Sequence, residues 1–271
     1  MDILNELELF YNSYPYEKGI IGHSRKGKPI YYFGAVKERN PKILITGGIH
    51  AREYITTYLC LEMLKAFCKS GKGASVYVVP AVNPDGIKIA ENQILDYKAN
   101  AVGVDLNVNF DAKWGGGKKN TFKRGAENYV GAFPFSEPET RVLKIFTLLL
   151  RPDITLSYHS KGEEIYWNFF QDGEREERDF YLGRQIQKAT GYKLVTLKGS
   201  SGGYKDWCID KLKIPSFTIE VGSDSLIHPI TKEHLQEIYK KNEKVLPFLI
   251  KGYKNATKIY GNGAKRSEKG V

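Results

Sequence analysis

Cysteines and long apolar runs are scarce in this sequence, and each scarcity narrows what the protein can be. Three cysteines, Cys60, Cys68 and Cys208, form no CxxC pair and leave one over, so a disulfide scaffold is disfavoured and a reducing compartment fits better. No apolar run approaches the roughly 20 residues that a helix needs to cross a bilayer. Residues 2–6 lack the basic and apolar regions of an export signal. We therefore expect a cytoplasmic protein with no membrane span.

Acidic residues are also in the minority. The chain has 41 Lys and Arg against 31 Asp and Glu, a formal net charge of +10. This excess favours an anionic partner such as nucleic acid, anionic lipid or an acidic cell-wall fragment. The basic residues are spread along the sequence without a recognisable nucleic-acid motif, so we expect no nucleic-acid partner.

The length and hydrophobic content suit one domain. A chain of 271 residues with 41% hydrophobic content can bury one full core, and neither a repeat nor a linker divides it. We expect a single domain over residues 1–271, with residues 258–271 forming a flexible basic tail.

Helical patterns alternate with apolar runs along most of the chain. The runs are typical of buried strands and lie at 43–46, 76–82, 154–158 and 217–221. This alternation predicts an α/β protein whose parallel or mixed sheet carries helices on both faces. The composition of residues 83–86 indicates a turn, and residues 87–130 are expected to form a long loop region.

Polar candidates stand at the ends of these strands, where sites of α/β sheets gather. His50 and Glu53 follow a Gly-Gly pair at the end of the first run and lie three positions apart, a layout that suits a divalent metal. His159 ends a later run, and two imidazoles with one carboxylate are a common set of catalytic zinc ligands. The HxxE pattern also arises by chance, and a surface ion-pair cluster with Arg52 is the alternative interpretation.

Glu220 interrupts an apolar run and is therefore expected to be partly buried. Desolvation raises the pKa of a carboxyl group toward the range of a general base. Beside an activated water, Glu220 would accept a proton during attack and pass it to the leaving amine. The alternative is a structural ion pair.

Six motifs, taken together and in order, resemble those of the zinc carboxypeptidase family. They are Gly48–Glu53, Asn83–Gly86, Val104–Asn107, Ser157–Ser160, Ser201–Gly203 with Asp206-Trp207, and Phe217–Glu220. The resemblance implies a three-layer α/β/α fold with a central mixed sheet of about eight strands. It also implies one zinc ion bound by His50, Glu53 and His159, with Glu220 as the catalytic carboxylate.

The sequence departs from the family pattern where a terminal carboxylate is held. Family members that remove a C-terminal residue use an Asn-Arg pair, but here Asn107 is followed by Val108, which cannot form a bidentate contact with a carboxylate. The family's substrate-capping tyrosine aligns with Lys198, with Tyr204 nearby, and the arginine that polarises the scissile carbonyl aligns with Lys98. We expect Asn107, Lys198 and Tyr204 to contact substrate and Lys98 to assist catalysis.

Because it lacks this arginine, the sequence resembles the bacterial subgroup that cleaves the γ-D-glutamyl–meso-diaminopimelate bond of peptidoglycan peptides. Its anionic muropeptide substrates also suit the net charge of +10. The resemblance thus implies a zinc peptidase acting on muropeptides, and we expect it to be a monomer. The alternatives are a metallocarboxypeptidase of ordinary peptides, an amidase or deacylase of N-acyl amino acids, and a non-enzymatic binder of cell-wall fragments.

Overall fold

One mixed sheet organises the part of the chain that the computed structural model describes, residues 2–261. Its eight strands are β1 Lys18–His23, β2 Pro29–Val36, β3 Lys42–Thr46, β4 Ser75–Val79, β5 Ile154–Ser160, β6 Glu164–Tyr166, β7 Lys193–Val195 and β8 Ser216–Val221. Their order across the sheet is β1-β2-β4-β3-β5-β8-β6-β7. The four central strands, β4, β3, β5 and β8, are parallel to one another, whereas the pairs β1–β2, β2–β4 and β6–β8 are antiparallel.

Helices cover both faces of this sheet. They are α1 Ile3–Ser13, α2 Ile55–Ser70, α3 Pro84–Asn92, α4 Pro138–Leu150, α5 Gly173–Thr190, α6 Tyr204–Trp207, α7 Leu235–Asn242 and α8 Val245–Ile259. Buried residues of α1, α2, α5, α7 and α8 join one hydrophobic core, and those of α4 and α6 join the core on the opposite face. The three-layer α/β/α fold expected from the sequence is confirmed.

The central strands are continuous apolar runs because both of their faces are buried. In β3, Ile43 and Ile45 pack into the core that includes α2, while Leu44 packs into the core on the other face. Successive side chains of a strand point to opposite faces, so a strand with helices on both sides has no solvent-facing position to fill with polar residues.

One local prediction is wrong. The residues read as a turn after β4, together with the start of the predicted loop region 87–130, form α3, which runs from Pro84 to Asn92. Asn83 caps this helix, since its Oδ1 accepts a hydrogen bond from Gly86 N–H at 3.0 Å. Asn and Pro favour turns, but they also favour the N-cap and first position of a helix, and the downstream apolar positions decide between the two.

The last helix ends at Ile259, so the first two residues of the predicted basic tail, Lys258 and Ile259, are helical. Residues 260 and 261 follow the helix, and the remaining residues of that prediction, 262–271, lie outside the described residues. No helix within residues 2–261 is both long enough and apolar enough to span a membrane. The three cysteines are free thiols, as their spacing predicts.

Candidate active site

Two glycines turn the chain sharply at the carboxyl end of β3 and so place His50. Gly48 has a φ of +58°, a left-handed conformation that other residues adopt only at a cost. A Cβ at Gly48 would lie 2.9 Å from Thr57 Oγ1 and 3.0 Å from the Ile87 side chain, so the backbone runs in close contact with α2 and α3. A 3-10 turn, Ala51–Glu53, follows His50 directly and brings the Glu53 carboxylate back to the imidazole.

Neighbouring parallel strands bring His159 and Glu220 to the same edge. Thr46 of β3 lies opposite Ser157 of β5, and His159 of β5 lies opposite Glu220 of β8. Parallel strands present their carboxyl ends at one edge of a sheet, which is where sites form in such folds. Strand register therefore assembles residues that are more than 100 positions apart in the chain.

The three candidate metal ligands are buried and close together. His50 Nδ1 lies 2.9 Å from Glu53 Oε1, and His159 Nδ1 lies 3.0 Å from Glu53 Oε2. The two Nδ1 atoms are 3.2 Å apart, and one ligand atom from each residue lies within 4.8 Å of the others. Two imidazole nitrogens and a carboxylate oxygen match the ligands of a catalytic zinc ion. The residues present therefore fit a zinc ion.

Two further groups form hydrogen bonds with these candidate ligands. Asp105 Oδ1 lies 3.1 Å from Nε2 of His50, and the Ser160 N–H donates to Glu53 Oε2 at 3.2 Å. An ionised carboxylate only accepts hydrogen bonds, so Asp105 keeps a proton on Nε2 of His50 and leaves Nδ1 to face the metal position. Asp105 lies within the Val104–Asn107 motif, but its role depends on a contact 55 residues away that sequence inspection missed.

The buried charges make this pocket favourable for a cation. Burial disfavours the protonated form of His50, yet Glu53 and Asp105 outweigh it and raise the pKa of His50 to about 9. Burial would also raise the pKa of Asp105, but the charges of His50 and Lys98 hold it well below its usual range. Two ionised carboxylates thus converge on one buried imidazole, and a metal ion would take the place of its proton.

Glu220 has the environment of a general base. Its Oε2 is buried and has no hydrogen-bond partner among residues 2–261. Burial, reinforced by the negative charge of Glu53, raises the pKa of Glu220 well above its usual value. A carboxyl group with a raised pKa takes up a proton more readily than an exposed carboxylate, as a general base must.

Lys98 contacts Asp105, the carboxylate partner of His50, and Asn128. Its Nζ lies 2.7 Å from Asp105 Oδ2 and donates to Asn128 Oδ1 at 2.7 Å. One N–H of Lys98 therefore donates to Asn128, and its ammonium charge is paired with that of Asp105. Arg52, which the alternative interpretation placed in an ion-pair cluster with His50 and Glu53, pairs instead with Asp96 at 2.9 Å.

The predicted substrate contacts separate into two groups. Asn107 is half-buried, and its Oδ1 accepts from the backbone N–H of Tyr204 at 3.1 Å; Lys198 is exposed in the segment before α6. The prediction for Tyr204 is wrong. Its side chain is fully buried and its hydroxyl lies 2.9 Å from that of Thr147 on α4, so it belongs to the core beneath the site.

The sheet, its two helical layers and the His–Glu–His group at the strand ends define a class of metallohydrolase. The chain belongs to the zinc carboxypeptidase family, whose family profile matches residues 3–244. Members of this family are zinc-dependent peptidases, and the protein is accordingly a peptide-bond hydrolase. Membership excludes the non-enzymatic binder among the alternatives.

One curated relative and two solved structures illustrate what the chain is similar to. A γ-D-glutamyl-L-diamino acid endopeptidase from Lysinibacillus sphaericus is 27% identical over 285 residues, covering 88% of this chain and 68% of the relative. The structure of bovine thrombin-activatable fibrinolysis inhibitor with tick carboxypeptidase inhibitor has a TM-score of 0.82 at 25% identity, covering 93% of this chain and 96% of that one. The murein-tripeptide amidase of Escherichia coli O157 has a TM-score of 0.63 at 26% identity, covering 89% and 95%.

Proposed function

We propose that this peptidase hydrolyses the γ-D-glutamyl–meso-diaminopimelate amide of peptidoglycan peptides. The observation that carries the proposal is Val108, which is half-buried in the 3-10 turn beside Asn107. Valine cannot make the paired hydrogen bonds by which a guanidinium holds a terminal carboxylate, so an ordinary peptide C terminus loses its main anchor. Similarity to a γ-D-glutamyl-diamino acid endopeptidase and to a murein-tripeptide amidase supports the same substrate class here.

We assign the zinc ion to His50, Glu53 and His159. A bound zinc ion would act as a Lewis acid and lower the pKa of an attacking water. Glu220 Oε2 accepts a proton from that water during attack and returns it to the departing amine nitrogen. The raised pKa of Glu220 supports this role, because the carboxyl group must hold the proton between the two steps.

Two further side chains, Lys98 and Asn107, have roles in the proposed reaction. The Lys98 ammonium carries three N–H donors, and its contact with Asn128 uses one of them. We assign another to the scissile carbonyl oxygen. Asn107 uses its Oδ1 on the Tyr204 backbone, which leaves its NH₂ group to donate to a substrate carboxylate.

Lys198 and the overall charge support an anionic substrate. Lys198 is exposed and is assigned to a second carboxylate of diaminopimelate. The formal net charge of +10 favours the approach of a muropeptide. We further propose one catalytic domain over residues 1–271 that acts as a monomer in the cytoplasm, where its three free thiols would stay reduced.

Product analysis with defined substrates tests the assignment. The zinc-loaded enzyme is incubated with L-Ala-γ-D-Glu-meso-diaminopimelate and, separately, with blocked dipeptides that end in a free α-carboxylate, and products are identified by mass spectrometry. We expect release of diaminopimelate, with a kcat/KM at least about a hundredfold above that of the blocked dipeptides. Faster cleavage of the blocked dipeptides would overturn the proposed substrate. Glu220→Gln is the inactive control.

Val108→Arg tests the reason for the preference. An arginine beside Asn107 restores a partner for a terminal carboxylate, so kcat/KM for blocked dipeptides should rise about tenfold or more while that for the muropeptide falls. Val108→Leu is the matched control, since it enlarges the side chain without adding charge. Equal effects of the two substitutions would show that size rather than charge governs this position.

A further inference from the structure

The two candidate histidine ligands are supported by different chemistry. An accept-only carboxylate, Asp105, stands behind His50, whereas Nε2 of His159 lies 3.3 Å from the Ser157 hydroxyl. Thr46 Oγ1 in turn donates to Ser157 Oγ at 3.1 Å. Thr46, Ser157 and His159 are each only 1% exposed, so solvent does not replace a missing partner in this chain of contacts.

The register between β3 and β5 places the hydroxyls of Thr46 and Ser157 side by side. Ser157 and His159 are two positions apart on β5, so their side chains point to the same face of the sheet. Thr46 lies directly opposite Ser157 in the β3–β5 pairing. The contacts therefore join two neighbouring central strands and involve no loop, and side chains on strands are positioned more precisely than those on loops.

We propose that Ser157, held by Thr46, is a positioning residue that orients His159 for metal binding and satisfies its Nε2 in both neutral tautomers. This inference rests on the proposed assignment of His159 as a zinc ligand. A hydroxyl both donates and accepts, whereas a carboxylate only accepts. Without metal, a proton on Nδ1 of His159 bonds to Glu53 Oε2 at 3.0 Å, and the Ser157 O–H donates to Nε2. If Nδ1 bound a metal ion, the ring proton would instead sit on Nε2 and donate to Ser157 Oγ.

Thr46 gives Ser157 its fixed orientation. A serine hydroxyl alone rotates among three staggered positions, and only one of them faces Nε2 of His159. The contact with Thr46 restrains that rotation. Removing either hydroxyl leaves the imidazole free to turn or leaves a buried nitrogen unpaired, and both effects disfavour metal binding.

Zinc affinity, measured without reference to turnover, tests the inference. The full-length protein is stripped of metal, and its zinc dissociation constant is obtained by competition with a fluorescent chelator. We expect Ser157→Ala to raise this constant about tenfold or more, and Thr46→Val to raise it by a smaller factor. Thr46→Ser, which keeps the hydroxyl, should bind zinc nearly as well as the wild type.

The matched control lies two residues away on the same strand. Thr155 faces the same side of β5 and pairs its hydroxyl with Ser216 of β8, but neither residue contacts an imidazole. Thr155→Val therefore removes an equivalent buried hydroxyl contact, and it should lower stability without changing the zinc dissociation constant. Equal zinc binding by Ser157→Ala and Thr155→Val would overturn the positioning role.

Nitrogen-15 NMR of the histidine rings supplies a second readout that a merely structural role would not move. In the wild type, zinc should shift the ring proton of His159 from Nδ1 to Nε2, and in Ser157→Ala the metal-free ring should lose the single-tautomer signature. An unchanged tautomer in that variant contradicts the inference. A wild-type protein that binds no zinc at all would overturn both this inference and the zinc site on which it rests.

Discussion

At the residue scale, the surroundings of each side chain determine which chemistry it can perform. Asp105 is buried, whereas Glu220 is half-buried with its Oε2 shielded from solvent, and the two carboxylates differ in their partners. Asp105 contacts the positive charges of His50 and Lys98 and stays ionised. The Oε2 of Glu220 has no partner among the described residues, so burial favours its protonated form. The first carboxylate is suited to orienting a ligand and the second to moving a proton.

The raised pKa of Glu220 predicts a pH-dependent stability difference. A carboxyl group whose pKa is higher in the folded than in the unfolded state does not lower the free energy of unfolding at a pH where it is protonated in both states. It lowers that free energy as pH rises through the folded pKa. In the metal-free protein, Glu220→Gln should therefore be more stable than the wild type by about 1–3 kcal/mol at pH 8. The difference should shrink toward pH 5.

Urea unfolding of the metal-free proteins at several pH values measures this difference. Glu8→Gln, at an exposed position of α1, controls for the loss of one negative charge and should have little effect. A Glu220→Gln variant that is less stable than the wild type at pH 8 would show that the ionised carboxylate is better solvated than its burial indicates.

At the element scale, the segment between β3 and α2 does most to shape the site. It is short and contains the Gly47-Gly48 pair, His50 and the 3-10 turn Ala51–Glu53. A tight connection suits a metal ligand pair because it leaves few backbone torsions free to vary. The segment also packs against Ile87 of α3, so the helix missing from the sequence interpretation helps to hold the turn in place.

Gly48→Ala should disturb this segment. The added methyl group would meet Thr57 and Ile87 within about 3 Å at a positive φ, so we expect a loss of about 2–4 kcal/mol of stability and weaker zinc binding. Gly27→Ala is the matched control: Gly27 also has a positive φ, of +82°, but nothing lies within 4 Å of its Cβ position. It should lose only about 1 kcal/mol and bind zinc normally.

Urea denaturation and chelator competition on the same samples separate the two effects. Similar stability losses in the two glycine variants would mean that the tight packing around Gly48 contributes little. Unchanged zinc binding in Gly48→Ala would mean that the turn does not set the position of His50.

At the scale of the whole molecule, sheet topology determines where the candidate ligands meet, whereas net charge affects how an anionic substrate approaches. The parallel order β4-β3-β5-β8 brings all candidate ligands to one edge, whatever the surface charge. The formal net charge of +10 acts before binding, by attracting anionic molecules over distances comparable to the Debye length. Catalysis and substrate capture can therefore be tested independently.

Ionic strength should weaken capture of an anionic substrate. Raising salt from about 0.05 M to about 0.5 M shortens the Debye length from about 14 Å to about 4 Å. We expect the KM for the muropeptide to rise about threefold or more while kcat changes little. A muropeptide with amidated carboxylates is the control substrate, and its KM should respond less. Equal responses of the two substrates would remove any role for the net charge.

Local sequence patterns were sufficient for the four central strands and indicated the candidate ligands, but they did not predict β6 or β7. The apolar runs of β3, β4, β5 and β8 mark buried strands because each residue faces one core or the other. His50, Glu53, His159 and Glu220 stand out because a polar group at the end of such a run needs a partner or a function. Both signals depend on neighbours within a few positions, which the sequence displays directly.

Tertiary structure alone decided which way the other side chains face and what they contact. The sequence placed Tyr204 near Lys198 as a substrate contact, but packing against Phe110 and the contact of its hydroxyl with Thr147 of α4 keep its ring in the core. Asp105 and Ser157 acquired roles through contacts 55 and 111 residues away, with His50 and Thr46. Such contacts follow from strand order and register, which are set by the free energy of the whole packed sheet and leave no local pattern in the chain.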